Sequence, residues 1–174
     1  MRTVSGRWLR GPAAVLAVGL LFLGCAPVSD EAPPSEEVPA AIAALPRARV
    51  SVGDGTLVVD AFVAGTERSR ARGLQGVASL PEGTGMLFLF DAPSGVGGRP
   101  GFWMLDTLVP LDIAFAADGV VVGVATMTPC PGPPCPITHP GVDYDVALEV
   151  GAGVLTGAGV GAGDTFVWED LVTG

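Results

Sequence analysis

The chain has 174 residues, which supports one ordinary domain once targeting segments are set aside. Nine basic residues, all of them arginine, stand against 18 acidic ones for a net charge of −9. Such a surface repels phosphate backbones, and affinity for DNA or RNA needs several Lys or Arg neutralising phosphates, so the composition argues against a nucleic-acid partner.

At the amino terminus, Arg2, Arg7 and Arg10 precede the apolar run "GPAAVLAVGLLFLG", residues 11–24, and then Cys25. Without that segment the charge becomes −12, with 6 basic and 18 acidic residues left. Fourteen residues are fewer than the roughly 20 a helix needs to span a bilayer, and the stretch reads as the apolar region of an export signal. A cysteine after a small residue at its end resembles a bacterial lipobox, although Phe22 stands where an aliphatic residue is usual. Residues 1–24 are therefore expected to be a lipoprotein signal peptide. Cys25 would then carry lipid, and two acyl chains would hold the protein to the cell membrane, facing outside the cytoplasm. Residues 25–46, rich in Pro, Ala and acidic side chains without a sustained period, read as a disordered spacer.

From Arg47 to the end, short apolar runs are punctuated by Gly, Asp and Pro, the pattern of a mainly β, sandwich-like domain. Asp54-Gly55 and Asp118-Gly119 lie between alternating stretches and predict two hairpins, because positive φ is inexpensive at such residues. "TERSRARG" predicts one short helix, with Thr66 as its cap, Glu67 at the positive end of the dipole and Gly73 as its stop. "GMLFLF", residues 85–90, lacks polar alternation and predicts a strand buried on both faces. The Gly-rich residues 151–164 miss the dinucleotide-binding spacing and read as a connection into a last strand, "DTFVWEDL".

Cys130 and Cys135 flank a Pro/Gly-rich turn and, in an oxidising compartment, are expected to form a local disulfide. A sharper alternative joins them with His139, and with Asp143 or Asp145, into a metal site, but the disulfide is preferred and neither metal nor cofactor is expected.

The run "GFWMLDTLVPLDIAF", residues 101–115, carries Trp103, Asp106, Thr107 and Asp112 in apolar surroundings. In a regular strand Leu111, Ile113 and Phe115 share one face and Asp112 the other. A bulge at Pro110 could still bring the two carboxylates together as an acid and base, whereas Asp106 capping a turn and Asp112 edging a strand are the structural readings.

These blocks also carry a resemblance. "RARGLQG", "LPEGTGMLFLF", "FWMLDTLVPLDIAF", "ADGVVVGV", "PCPGPPCP" and "ALEVGAGVLTGAGVGAGDTF" occur in the order seen in the family called domain of unknown function 192. The resemblance implies a compact, mainly β domain in secreted or membrane-associated prokaryotic proteins, and no established reaction. Where the family usually has a lysine followed by Asn or Asp, this chain has Leu105 and Asp106, so the lysine is missing; Gln75 replaces a methionine, and an aromatic common near Thr138 and His139 is missing. Three readings follow. The first is a pocket of Arg70, Arg72, Trp103, Asp106, Thr107 and Asp112 binding a small polar ligand such as a sugar. The second is a module for an envelope protein partner, and the third, least favoured, is a carboxylate-dependent hydrolase.

Overall fold

In a computed structural model, which describes residues 38–94 and 101–171, the chain from Arg47 builds a single seven-stranded sheet. The expected export signal, Cys25 and most of the expected spacer lie outside the described residues. Strands β1 (Arg47–Val52), β2 (Leu57–Ala64), β3 (Thr84–Ser94), β4 (Leu111–Ala117), β5 (Val120–Met127), β6 (Tyr144–Gly151) and β7 (Phe166–Leu171) are ordered β5-β4-β6-β3-β2-β1-β7. All neighbours are antiparallel except β2 and β3, whose parallel pairing requires a crossover. That crossover contains the expected helix, α2 (Glu67–Arg72). Both expected hairpins form, with Asp54, Gly55, Asp118 and Gly119 all at positive φ.

The mainly β class is as expected, but the layers are not two stacked sheets. One sheet curls until its two edges meet: Val120 at the start of β5 bridges Thr165 just before β7, and Val121 N–H donates to the Asp164 carbonyl at 2.8 Å. Curling encloses one cluster of side chains, including Val50, Val59, Leu87, Ala114, Leu148 and Val150. The opposite face buries a second cluster, with Phe62, Met86, Phe88, Ile113 and Phe115. Central strands are thus covered on both sides, which explains why residues 85–90 read as an unbroken apolar run; 85–88 are buried, while Leu89 and Phe90, toward the strand's end, are half-buried.

Two further helices accompany α2. The first, α1 (Ala40–Ala43), falls inside the stretch expected to be spacer, and its Ile42 is fully buried in the second cluster. The second, α3 (Val154–Gly157), interrupts the Gly-rich connection and drives Leu155 into the enclosed cluster. Its N-cap is Gly153, which has no side chain to cap with. The cap comes instead from Asp112 on β4. One carboxylate oxygen accepts from Gly153 N–H at 2.9 Å and Leu155 N–H at 3.1 Å, and the other from the Thr126 hydroxyl at 2.7 Å. Asp112 is therefore fully buried with both oxygens engaged. Removing it leaves buried amides unpaired, a loss of about 1–3 kcal/mol per group. Asp112→Ala is expected to lower stability by roughly 2–4 kcal/mol in a urea melt, on that figure; a loss below about 0.5 kcal/mol would show that α3 does not depend on this cap.

Candidate functional site

A cavity of about 440 Å³ opens on the outer face of the sheet, between α2, β3, β6 and the 101–107 loop. Its helical side is well determined locally. Thr66 and Ser69 form a reciprocal capping box, Ser69 N–H donating to Thr66 Oγ1 at 3.1 Å and Thr66 N–H to Ser69 Oγ at 3.0 Å. Arg70 is pinned as well: its Nη1 donates to the carbonyls of Gly65 (2.9 Å) and Leu89 (2.8 Å), and its guanidinium lies 5.2 Å from the Phe90 ring centre. Arg72, one turn end further, is exposed at the mouth beside Gln75.

The facing wall is built from two loops stitched together. Phe102 and Thr138 exchange both backbone hydrogen bonds, at 2.8 and 2.7 Å, and Leu105 bridges Cys130. A Cβ on Gly101 would collide with the Thr138 carbonyl, so glycine is required for this approach. Cys130 and Cys135 are joined in a disulfide, with Cα atoms 5.8 Å apart. Both sulfurs are thereby consumed, and the alternative with His139 and Asp143 or Asp145 has no thiolates to offer a metal; among the described residues no cluster of ligating side chains occurs. Phe102 packs edge-on against Phe88, with ring centres 4.8 Å apart, and against Phe90 and Phe115, so the wall is aromatic and rigid. Trp103 stands at the mouth with 49% of its surface exposed.

Of the six side chains expected to share a pocket, Arg70, Arg72, Trp103 and Thr107 line this cavity, and Asp106 and Asp112 do not. Asp112 faces the enclosed cluster with Ala114, the parity expected of a regular strand, and serves α3. Asp106 is exposed and holds φ +56, a left-handed conformation that Asp and Asn tolerate better than most residues. Its backbone does the work: the N–H donates to the Cys130 carbonyl at 3.2 Å, and the carbonyl accepts from Gly76 N–H at 2.9 Å. The two aspartates are a cap and a turn, and they do not form a reacting pair.

The carboxyl group that does face the cavity is Glu149, on β6. Its position is flanked by Met86 on β3 and Ile113 on β4, both fully buried, and only 4% of its own surface is exposed. Gly85 permits this tight packing, because a Cβ there would strike the Glu149 carbonyl. Among the described residues the carboxyl has no hydrogen-bond or ion-pair partner. Burial alone pushes its pKa up to about 8, so it is mainly protonated at neutral pH. Sequence reading passed over it inside "ALEV", where Leu148 and Val150 turn to the enclosed cluster and a glutamate between them looks like a solvated outer position.

The comparisons bear on this arrangement. The family DUF192, described as "Uncharacterized ACR", matches residues 49–168. The chain belongs to that family. None of the curated proteins matches it. Among solved structures it is similar to a protein of unknown function from Novosphingobium aromaticivorans, at 28% identity over 74% of this chain and 96% of that one, with a TM-score of 0.57. It is also similar to a protein from Sinorhizobium meliloti described as a "putative transcription regulator", at 26% identity over 72% and 92% of the two chains, with a TM-score of 0.58. The DUF192 match spans every residue that lines the cavity, from Glu67 to Glu149.

A raised carboxyl pKa has a definite sign for stability. The folded state holds the Glu149 proton up to about pH 8, whereas the unfolded chain releases it near its ordinary value of 4.5, so this group's contribution falls as pH rises between those limits. Replacing Glu149 with glutamine removes that cost. Glu149→Gln is expected to raise stability at pH 7 by roughly 3 kcal/mol, at about 1.4 kcal/mol per pH unit, and by little at pH 4. Melting curves across pH check this; equal gains at pH 4 and pH 7 would contradict the buried, protonated carboxyl.

Proposed function

We propose that this DUF192 protein is an exported, lipid-anchored binding module that takes up a small ligand in the cavity over β6. The observation that carries the reading is Glu149, a nearly buried carboxyl that lines the cavity and has no hydrogen-bond or ion-pair partner among the described residues. Leaving a polar group unpaired in an apolar setting costs stability, and a ligand that supplies the missing hydrogen bond recovers it. Most of the cavity surface is apolar, with Phe88, Phe90, Phe102 and Trp103 on its walls, which favours a ligand with an apolar face, such as a flat ring or the C–H face of a sugar, over an extended polyol. The hydrolase reading loses its carboxylate pair, since Asp112 is committed to α3 and Asp106 to a turn. The regulatory label of the Sinorhizobium relative finds no support in a chain of net charge −9.

A thermal-shift screen of sugars, heterocycles and small metabolites tests the pocket. A ligand at about one hundred times its Kd adds roughly 2.7 kcal/mol of stability, and Trp103→Ala is expected to abolish that shift. Shifts that survive both Trp103→Ala and Glu149→Leu would place binding elsewhere.

Export and anchoring rest on the arginines, the apolar residues 11–24 and the following Cys25. Mass spectrometry of the protein from its host is expected to show a mature chain beginning at acylated Cys25; an intact Met1 would overturn the anchor.

A further inference from the structure

The cavity has chemically different ends. At its floor lies Glu149, and at its mouth lie Arg70 and Arg72 with Glu67, an excess of one positive charge outside the floor carboxyl. Among the described residues, these four are the titratable side chains that line the cavity. Between the ends run aromatic rings, with Trp103 half exposed at the entrance. Resting on the reading of this cavity as a ligand site, we propose that its ligand is a flat nitrogen heterocycle with a lactam-type edge and an anionic substituent, the edge seated on Glu149 and the anion against the arginines.

Each part of that ligand answers a feature of the site. A carboxylic acid presents one O–H donor and one carbonyl acceptor side by side, and a ring lactam presents an N–H and a C=O side by side, so the two pair through parallel hydrogen bonds. An open-chain secondary amide in its trans form holds the same groups on opposite sides and makes only one of them. The pairing needs the protonated acid, which is the form burial maintains up to about pH 8. A flat ring lies against aromatic walls with little loss of contact, whereas a polyol would bring hydroxyls that these walls cannot satisfy. Arg70 already spends Nη1 on two carbonyls, which fixes its guanidinium, and its Nε and Nη2 have no partner among the described residues. An anion there meets an arginine already held in place.

Calorimetric titration of the full chain, kept in mild detergent, with orotate, uracil, 1,3-dimethyluracil and benzoate tests each feature separately. Orotate is expected to bind most tightly, uracil at least threefold more weakly, and 1,3-dimethyluracil and benzoate at least tenfold more weakly. The double variant Arg70→Ala/Arg72→Ala is expected to erase the preference of orotate over uracil, and Arg72→Ala alone to reduce it. Glutamine keeps a donor beside an acceptor, so Glu149→Gln is expected to bind orotate within threefold of wild type, while Glu149→Leu loses at least tenfold. Wild-type affinity is expected to fall above about pH 8 and that of Glu149→Gln to stay level over the same range. A purely structural Glu149 would produce neither the glutamine rescue nor the altered pH profile. Equal binding of 1,3-dimethyluracil and orotate, or loss of binding in Glu149→Gln, overturns the lactam edge. If sugars bind in a Trp103-dependent manner and no heterocycle does, this inference fails and the ligand pocket stands. If neither class binds, the pocket reading fails with it.

Discussion

A sheet buried on both faces leaves its central strands no solvated side, and that constraint governs where every polar group in this domain can go. Two carboxyl groups on central strands are nevertheless buried, and they meet the constraint in opposite ways. Asp112 points into the enclosed cluster and is neutralised by geometry, with three donors on its two oxygens. Glu149 points to the outer face, finds no donor among the described residues, and is neutralised by a proton. One solution holds the fold together. The other leaves a hydrogen-bonding capacity unspent at the bottom of a cavity, which is the usual mark of a place where something else binds.

The cavity itself follows from how the loops are tied. Residues 101–107 carry no regular secondary structure of their own beyond single bridges, yet they are held by Thr138, by Cys130 and, through Asp106, by Gly76. The disulfide closes the second loop, so the wall bearing Phe102 and Trp103 is braced by a covalent link as well as by backbone hydrogen bonds. On the other side, α2 is short and would be marginal alone; its capping box and the two carbonyls gripped by Arg70 hold it against the sheet.

Local chemistry was legible in the sequence wherever the determinants lie within a few residues. Both hairpins, the cap and stop of α2, the doubly buried first part of β3 and the Cys130–Cys135 link all depend on neighbours in the chain, and all are found. What was hidden depends on distant partners. The helix α3 sits in a Gly-rich run with no cap of its own, because its cap is supplied from a residue 41 positions earlier. Four of six expected site residues converge because they sit on the two elements that frame the cavity. Asp106 and Asp112 are suggested by residue type, apolar surroundings and a bulge at Pro110, and only the backbone angle of one and the facing of the other show what they do. Glu149 was hidden for the reverse reason: alternation along β6 is the signal of a wet outer face, and only α2 and the loops that cover that face make the position buried.

The position of β7 carries a consequence for how the chain reaches its folded state. The first strand, β1, is hydrogen-bonded on one side to its hairpin partner and on the other to β7, Arg47 lying opposite Leu171. The enclosed cluster also needs Phe166 from β7 and Leu155 from the segment before it. Contacts of such long sequence separation form slowly, because loop closure must precede the burial that rewards it. A ribosome releasing this chain from its amino terminus therefore emits nearly the whole domain before the barrel-like closure can be completed. The growing chain lacks its closed sheet, and the last side of its enclosed cluster, until its final strand emerges.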